Sequence, residues 1–407
     1  MAVSLPFILL LVQYLLNGRP DIKAILKTIP FFVVSVVFSI VTLFAQNVIA
    51  PVGTGTFSLS IMHRLCIPFY GILFYIVKTI LPLRLCSFYP FPGNDDNLFT
   101  FVLVVSPLIV IGIAALMLYF RSDSRKFLFS SLFYLFTLAP ALQIIPIGNA
   151  MVAERYTYIP SVGISFGIAV LFQYLMMEKL HARKNIRLAV LVSIGVCIIV
   201  FGCLSSIRCS VWKDSLTLWN DVVGKFPVDD AYYFRGLAYS ERGNYAMAVE
   251  DFNRAIKMNG TYALAYDARG TVYYRVGLFD KALEDYTKAI RIIPKNAISY
   301  ANRGAVYSRK VDFKNAIADY SEAIKINPKG AFFSYCNRGM AYGNIGDYLH
   351  AIKDFTQAIK LNPDYMQVYY YRGRAYKSID DYSRAASDMK KACNLGFDQA
   401  CRELSGY

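Results

Sequence analysis

Histidine is scarce in this chain: His63, His181 and His350 are the only three, and they lie far apart. The eight cysteines show no metal-ligand spacing, so neither zinc nor haem is expected and no bound cofactor is implied. Glycine-rich phosphate loops and nucleophile motifs are missing as well. No basic run carries the interleaved aromatics that stack on bases, which argues against nucleic acid as a partner. Charge itself is thin in one half: residues 1–206 hold 14 Lys and Arg against 6 Asp and Glu, whereas the remainder holds 29 against 22. A first half so poor in charge, in a chain that is 56% hydrophobic, is too apolar for an ordinary water-soluble domain. We read it as a membrane domain.

What fills that half is a series of apolar runs near 2–16, 25–46, 65–83, 98–120, 127–145, 160–177 and 187–206. A bilayer crossing takes roughly 17–25 such residues. The first run is short and starts at Met1 without a basic region before it or a small-residue cleavage site after it, so it does not resemble a signal peptide; it resembles a helix cut in half. Basic loops stay on the cytoplasmic side. Arg121, Arg125 and Lys126 form one, and Lys179, Arg183, Lys184 and Arg187 another, which sends the last span outward and places the rest of the chain outside the cytoplasm. The loop with Arg19, Lys23 and Lys27 fits that scheme only if one run fails to cross. Segment 62–92, with its charges and four prolines, is the candidate, lying in the outer interface or re-entering; otherwise the first loop breaks the charge rule. The interfacial reading turns 47–64, 84–97 and 146–160 to the same outer side.

The second half repeats. An Arg-Gly pair returns at Arg235, Arg269, Arg303, Arg338 and Arg372, at spacings of 34, 34, 35 and 34 residues. A tyrosine stands three residues before each arginine, and an Ala-x-x-Asp-aromatic block follows (Ala248 to Phe252, Ala282 to Tyr286, Ala316 to Tyr320, Ala351 to Phe355), with Pro294, Pro328 and Pro363 closing three units. Small residues mark close helix approaches, and each unit reads as an antiparallel helix pair that must stack to bury its apolar face. The period and pattern resemble tetratricopeptide repeats, whose arrays usually bind proteins. The expected fold is therefore all-α: a polytopic transmembrane helix bundle over 1–206, a junction helix within 207–228, and five repeats with a C-terminal capping helix over 229–407. The junction segment, with Trp212 and Trp219, is expected to cap the first repeat and couple the array rigidly to the membrane.

Within each unit the arginine stands sixteen residues before an aspartate (Arg235 and Asp251 through Arg372 and Asp388), a spacing that pairs them across a helix hairpin. Ligand contacts are expected instead on the inner face of the first helices, at Tyr233, Asp267, Tyr274, Ser308, Met340, Tyr370, Arg374 and Lys377. That set is aromatic in the middle and basic at the C-terminal end, which suits an extended peptide with an acidic part. Cys393 and Cys401 flank a glycine turn. They form either a disulfide, which an outer location permits, or two packed thiols.

One loop stands out for chemistry. Glu154 and Arg155 lie beside Tyr156 and Tyr158 at the start of an apolar run. A guanidinium grips phosphate oxygens in a fork, and tyrosines sit well at headgroup level; by residue type alone the four also read as solvated interface residues and an aromatic belt. Asp95 and Asp96 read as turn residues. The segments 1–11 (from Met-Ala-Val-Ser-Leu-Pro), Ala45 and Gln46, Phe88-Tyr89-Pro90 and above all Ala-Glu-Arg-Tyr-Thr-Tyr-Ile-Pro-Ser-Val-Gly at 153–163 resemble the transmembrane and tetratricopeptide-repeat family of protein O-mannosyltransferases and its bacterial relatives. The resemblance implies a C-type integral-membrane glycosyltransferase that moves a sugar from a polyprenyl phosphate to a protein hydroxyl on the outer face, with the repeats recruiting the acceptor. It leans toward a bacterial inner membrane with the array in the periplasm. Arg155 is then the phosphate contact and Glu154 its orienting partner. The family's acidic catalytic residue sits in a first outer loop with no equivalent here, which implies either missing N-terminal residues or a product inactive as an enzyme; a non-catalytic membrane scaffold displaying the repeats is the alternative.

Overall fold

Uninterrupted apolar runs satisfy their backbone groups within helices, and the computed structural model forms helices from them. It describes residues 4–18, 22–49, 61–90, 97–119, 124–142, 150–153, 156–174 and 184–404, grouped into two units, Met1–Pro227 and Val228–Tyr407. In the first unit the helices are Leu5–Asn17 (α1), Ile22–Ile49 (α2), Ile61–Ile80 (α3), Asn97–Tyr119 (α4), Ser124–Leu138 (α5), Tyr158–Tyr174 (α6) and Lys184–Val211 (α7), one for each apolar run. The tightest packing is between α5 and α6. Gly163 and Gly167, one turn apart, let the backbones approach: a Cβ at Gly163 would stand 3.0 Å from the Ser130 carbonyl oxygen, and one at Gly167 2.4 Å from Ser130 Oγ. That hydroxyl donates to Gly163 O at 2.7 Å. Small residues four apart are the usual means by which apolar helices close on one another.

Two short strands, Tyr89–Pro90 (β1) and Ala150–Val152 (β2), pair antiparallel. Tyr75 Oη reinforces them, accepting from Ala153 N at 3.2 Å. The chain just after α3 and the chain just before α6 therefore meet at one end of the unit. Ser215–Lys225 (α8), started by a capping box between Asp214 and Thr217, packs at that same end. Lys225 Nζ donates to Leu85 O at 2.6 Å, Tyr89 meets Phe226 at 5.5 Å, and Arg208 pairs with Asp221 at 2.8 Å. The junction helix thus belongs to the first unit by its contacts.

Apolar side chains cover the outside of this unit. On α7, Leu191, Val192, Val196 and Ile198 are each more than half exposed, and α2 shows Val33, Val36 and Phe38 in the same state. Among the described residues one segment, Leu191–Val211, is long and apolar enough to cross a membrane. The other apolar stretches are shorter: Leu5–Asn17, Ile25–Val41, Phe99–Ala115 and Tyr158–Gln173. A 13-residue helix such as α1 spans only about 20 Å of a hydrocarbon core about 30 Å thick. Of the expected polytopic bundle, one candidate membrane span, Leu191–Val211, is found among the described residues.

The second unit is a stack of helix pairs: Asp229–Glu241 (α9) with Tyr245–Met258 (α10), Ala263–Arg275 (α11) with Phe279–Ile292 (α12), Ala297–Arg309 (α13) with Phe313–Ile326 (α14), Phe332–Asn344 (α15) with Tyr348–Leu361 (α16), and Met366–Lys377 (α17) with Tyr382–Asn394 (α18). Asn244, Asp312, Asp347 and Asp381 cap four of the second helices by accepting from the backbone three residues on, an arrangement worth about 1 kcal/mol each. The turn inside every pair takes a left-handed residue: Gly243, Gly277, Val311, Gly346 and Asp380, with φ between 59° and 81°. Four first helices meet their second through a glycine on an aromatic ring, and the fifth through Gly373 on Met389; a Cβ at Gly236 would stand 2.7 Å from Phe252. The next pair completes the core. Val272 closes over Ala248 and Phe252, and Val306 over Ala282 and Tyr286, so a lone pair leaves its apolar face open. Asp398–Leu404 (α19) covers the last pair, and Cys393 is bonded to Cys401 beneath it.

Candidate functional site

The array is held by a ladder of arginines. Arg303 sends Nε and Nη2 to the two carboxylate oxygens of Asp319, both at 2.8 Å, and Nη1 to Thr287 of the preceding repeat at 3.1 Å. Arg269, Arg338 and Arg372 repeat the scheme, reaching Asn253, Ser321 and Thr356 in the repeat before. Arg235 makes the same fork with Asp251. Each guanidinium also lies over the ring of the tyrosine three residues before it, at 5.5–5.8 Å. The fork with Asp319 raises the Arg303 pKa despite its partial burial. The five ion pairs expected from the sixteen-residue spacing are all formed. Sequence reasoning missed their inter-repeat arm, although its polar acceptors recur at the period.

Successive first helices touch one another and form a continuous wall: α9 meets α11, α11 meets α13, α13 meets α15, and α15 meets α17. The expected contact residues on these helices divide by exposure. Arg374 and Lys377 are exposed. Tyr233, Tyr274, Ser308 and Met340 are half-buried: the Tyr233 ring lies tilted against Tyr262 at 5.1 Å and that of Tyr274 tilted against Phe279 at 5.9 Å, Ser308 Oγ meets Tyr320 Oη at 3.4 Å, and Met340 packs on the Phe355 cluster.

Asp267 and Tyr370 are buried. Asp267 Oδ2 accepts from Ser299 Oγ at 2.7 Å and Asn296 Nδ2 at 3.0 Å, and burial lifts its pKa to about 6. Tyr370 sits under α19, donating to Glu403 and accepting from Gln399, where it seals the end of the stack. Residues that the sequence reading did not single out are more open: Leu264, Ile298 and Phe333 are 49%, 68% and 64% exposed. All three occupy one repeat position, two residues before the first-helix tyrosine. That recurrence was the available signal. The wall therefore offers an apolar row in its middle and two exposed cations in its last repeat.

In the first unit, Glu154 and Arg155 lie outside the described residues, as do Asp95 and Asp96. Tyr156 is half-buried and Tyr158 is 68% exposed at the start of α6. Among the described residues no group of His, Cys, Asp and Glu is placed to hold a metal ion.

Residues 229–262, 297–329 and 332–365 match one tetratricopeptide-repeat family and residues 263–296 a second. The repeats are tetratricopeptide repeats. Solved structures similar to the array include MamA, at 22% identity over 40% of this chain and 96% of that one with a TM-score of 0.38. Another is YrrB, described as a tetratricopeptide-repeat protein with an unusual peptide-binding site, at 18% identity over 46% of this chain and 98% of that one with a TM-score of 0.41. A curated relative, a protein O-mannosyl-transferase of Caenorhabditis elegans, is 24% identical over 193 residues, which is 47% of this chain and 27% of the relative. The chain thus spans about a quarter of the length of the curated relative it matches.

Proposed function

We propose that the tetratricopeptide array binds an extended segment of a protein partner, and that the chain works as the repeat-bearing part of a membrane glycosyltransferase that uses a polyprenyl-phosphate sugar. The observation that carries the first statement is the exposed row Leu264, Ile298 and Phe333. Apolar side chains scattered singly over a surface are ordinary, but a row at one repeat position on touching helices gives an extended peptide regularly spaced anchors. Arg374 and Lys377, both exposed, suit an acidic stretch of the guest at the end of that row.

Support for the second statement comes from the likeness to the O-mannosyl-transferase and from the apolar exterior of the first unit. In water such an exterior would be costly at about 25 cal/mol per Å2; among lipid chains it is not. On this reading several helices of the first unit cross the bilayer, as a polytopic bundle, with the array on the extracytoplasmic side. Arg155 grips the lipid phosphate, oriented by Glu154 and flanked by Tyr156 and Tyr158, while the repeats hold the acceptor protein. Transfer of radiolabelled mannose from polyprenyl-phosphate mannose to protein in membranes carrying the full-length product tests it. We expect transfer that drops at least tenfold in Arg155→Ala; absence of any transfer by the unaltered product leaves a scaffold that presents the repeats, and refutes the enzyme.

A further inference from the structure

Three successive connections between repeats carry positive charge and no negative charge. Residues 257–264, 291–298 and 325–333, which lead into α11, α13 and α15, hold Lys257, Arg291, Lys295, Lys325 and Lys329 and neither aspartate nor glutamate. All five cations are exposed. Lys325 alone of the five has a carboxylate partner among the described residues, Glu322 at 3.4 Å.

A cation in the last turn of a helix complements the helix dipole, which accounts for Lys257, Arg291 and Lys325. It does not account for Lys295 and Lys329, which lie beyond the helix ends. Nor does it account for the missing carboxylates, since at or beside the turn inside each of the same three pairs stands an aspartate, Asp280, Asp312 or Asp347. The apolar row has the same limits as the basic connections. At the position of Leu264, Ile298 and Phe333 the first repeat has Asp230 and the fifth has Gln367, and the connections into those two repeats contain Asp229 and Asp364. A lysine stands three residues before Ile298 and four before Phe333, so each of these exposed anchors has a cation on the connection that delivers it.

From this coincidence we infer that repeats two to four form one composite site for an acidic protein segment with regularly spaced apolar residues. The guest's apolar side chains lie on Leu264, Ile298 and Phe333, and its carboxylates face the cations of the adjoining connections. This deepens the protein-binding reading given above and rests on it, adding the guest's charge pattern along the row. Successive first helices touch, which sets their axes roughly 8–10 Å apart, about three residues of extended chain at about 3.3 Å each. The matching guest therefore repeats an apolar residue at every third position with acidic residues between. Exposed ion pairs are weak one by one, so the cations select among apolar-spaced segments and leave the anchoring to the row.

The test measures fluorescence anisotropy of labelled peptides with the full chain in nanodiscs of neutral lipid. The probes are a peptide of repeated Leu-Glu-Ser triplets, its Leu-Gln-Ser counterpart and poly-L-glutamate. We expect the acidic triplets to bind about fivefold or more tighter than the neutral ones, as two exposed ion pairs allow. The preference should vanish in Lys295→Gln with Lys329→Gln, persist in Lys295→Arg with Lys329→Arg, and shrink at high salt. Equal affinity for the two triplet peptides overturns the basic side of the site and leaves the apolar row standing. Poly-L-glutamate bound as tightly as the acidic triplets overturns the composite site in favour of a general polyanion surface. Ile298→Ala with Phe333→Ala should weaken both triplet peptides alike; no effect there removes the row itself, and with it the protein-binding reading on which the inference rests.

Discussion

Removing one arm of the arginine ladder should open the array locally. In Arg303→Met the Asp319 carboxylate, whose side chain is 8% exposed, loses both hydrogen bonds of the fork. Leaving a buried charge without its partner costs about 3–5 kcal/mol, and the residual 17% exposure of Arg303 puts the expectation near the lower end, about 3 kcal/mol. The lost stacking on Tyr300, at 5.6 Å, adds about 0.5–1 kcal/mol. The Thr287 bond ties α13 to the preceding repeat, so the damage should appear as local opening at that interface, because a repeat array divides its stability among neighbour contacts. Hydrogen exchange on the full chain reads it directly. Amides of α13 and α14 should lose about a hundredfold or more in protection, at a factor of ten per 1.4 kcal/mol, while those of α17 and α18 change little. The double variant Arg303→Met with Asp319→Leu should regain most of the loss, since replacing a whole buried pair by apolar groups is often neutral. A drop below about fivefold in the single variant, or a double variant as labile as the single, would refute the reasoning.

Two further outcomes follow from the same array. Val311 occupies the left-handed turn at φ 64°, where glycine stands in three other repeats; its side chain is 70% exposed, so Val311→Gly relieves about 1–2 kcal/mol of backbone strain, of which the added freedom of the unfolded chain offsets about 0.5–1. The urea midpoint of the array should rise. Asp267 has a folded pKa of about 6, above its ordinary 3.8; the folded state binds its proton more tightly, so the contribution is fully present below about pH 4 and is lost as pH rises through 6. Lowering pH from 7 to 5 should therefore add about 1.4 kcal/mol through this group. Asp267→Asn should flatten that dependence in urea unfolding, and an unaltered pH profile in the variant would remove Asp267 as its source.

The repeats were legible in the chain itself because their signal is periodic and local. The Arg-Gly and Asp spacing fixes a hairpin, the hairpin fixes the ion pair, and all five pairs stand where sixteen residues of separation put them. Which residues of the first helices face outward was not legible in the same way. Asp267 and Tyr370 carry the chemistry of ligand contacts, yet Asn296 and Ser299 of the next repeat enclose the first, and α19 covers the second. Leu264, Ile298 and Phe333 look like core residues and are exposed, because exposure depends on how the next pair stacks.

In the first half, apolar run length determined that helices form and roughly where. Tertiary structure decided the rest: that β1 and β2 bring segments some sixty residues apart to one end, that α8 joins the first unit, and that Lys78 and Arg208, about 130 positions apart in the chain, line one cavity. The physical reason is the range of the forces involved. Hydrogen bonding within a helix and the repeat period act over a few turns of chain and can be read along it, whereas burial and the meeting of distant charges exist only after the helices have packed.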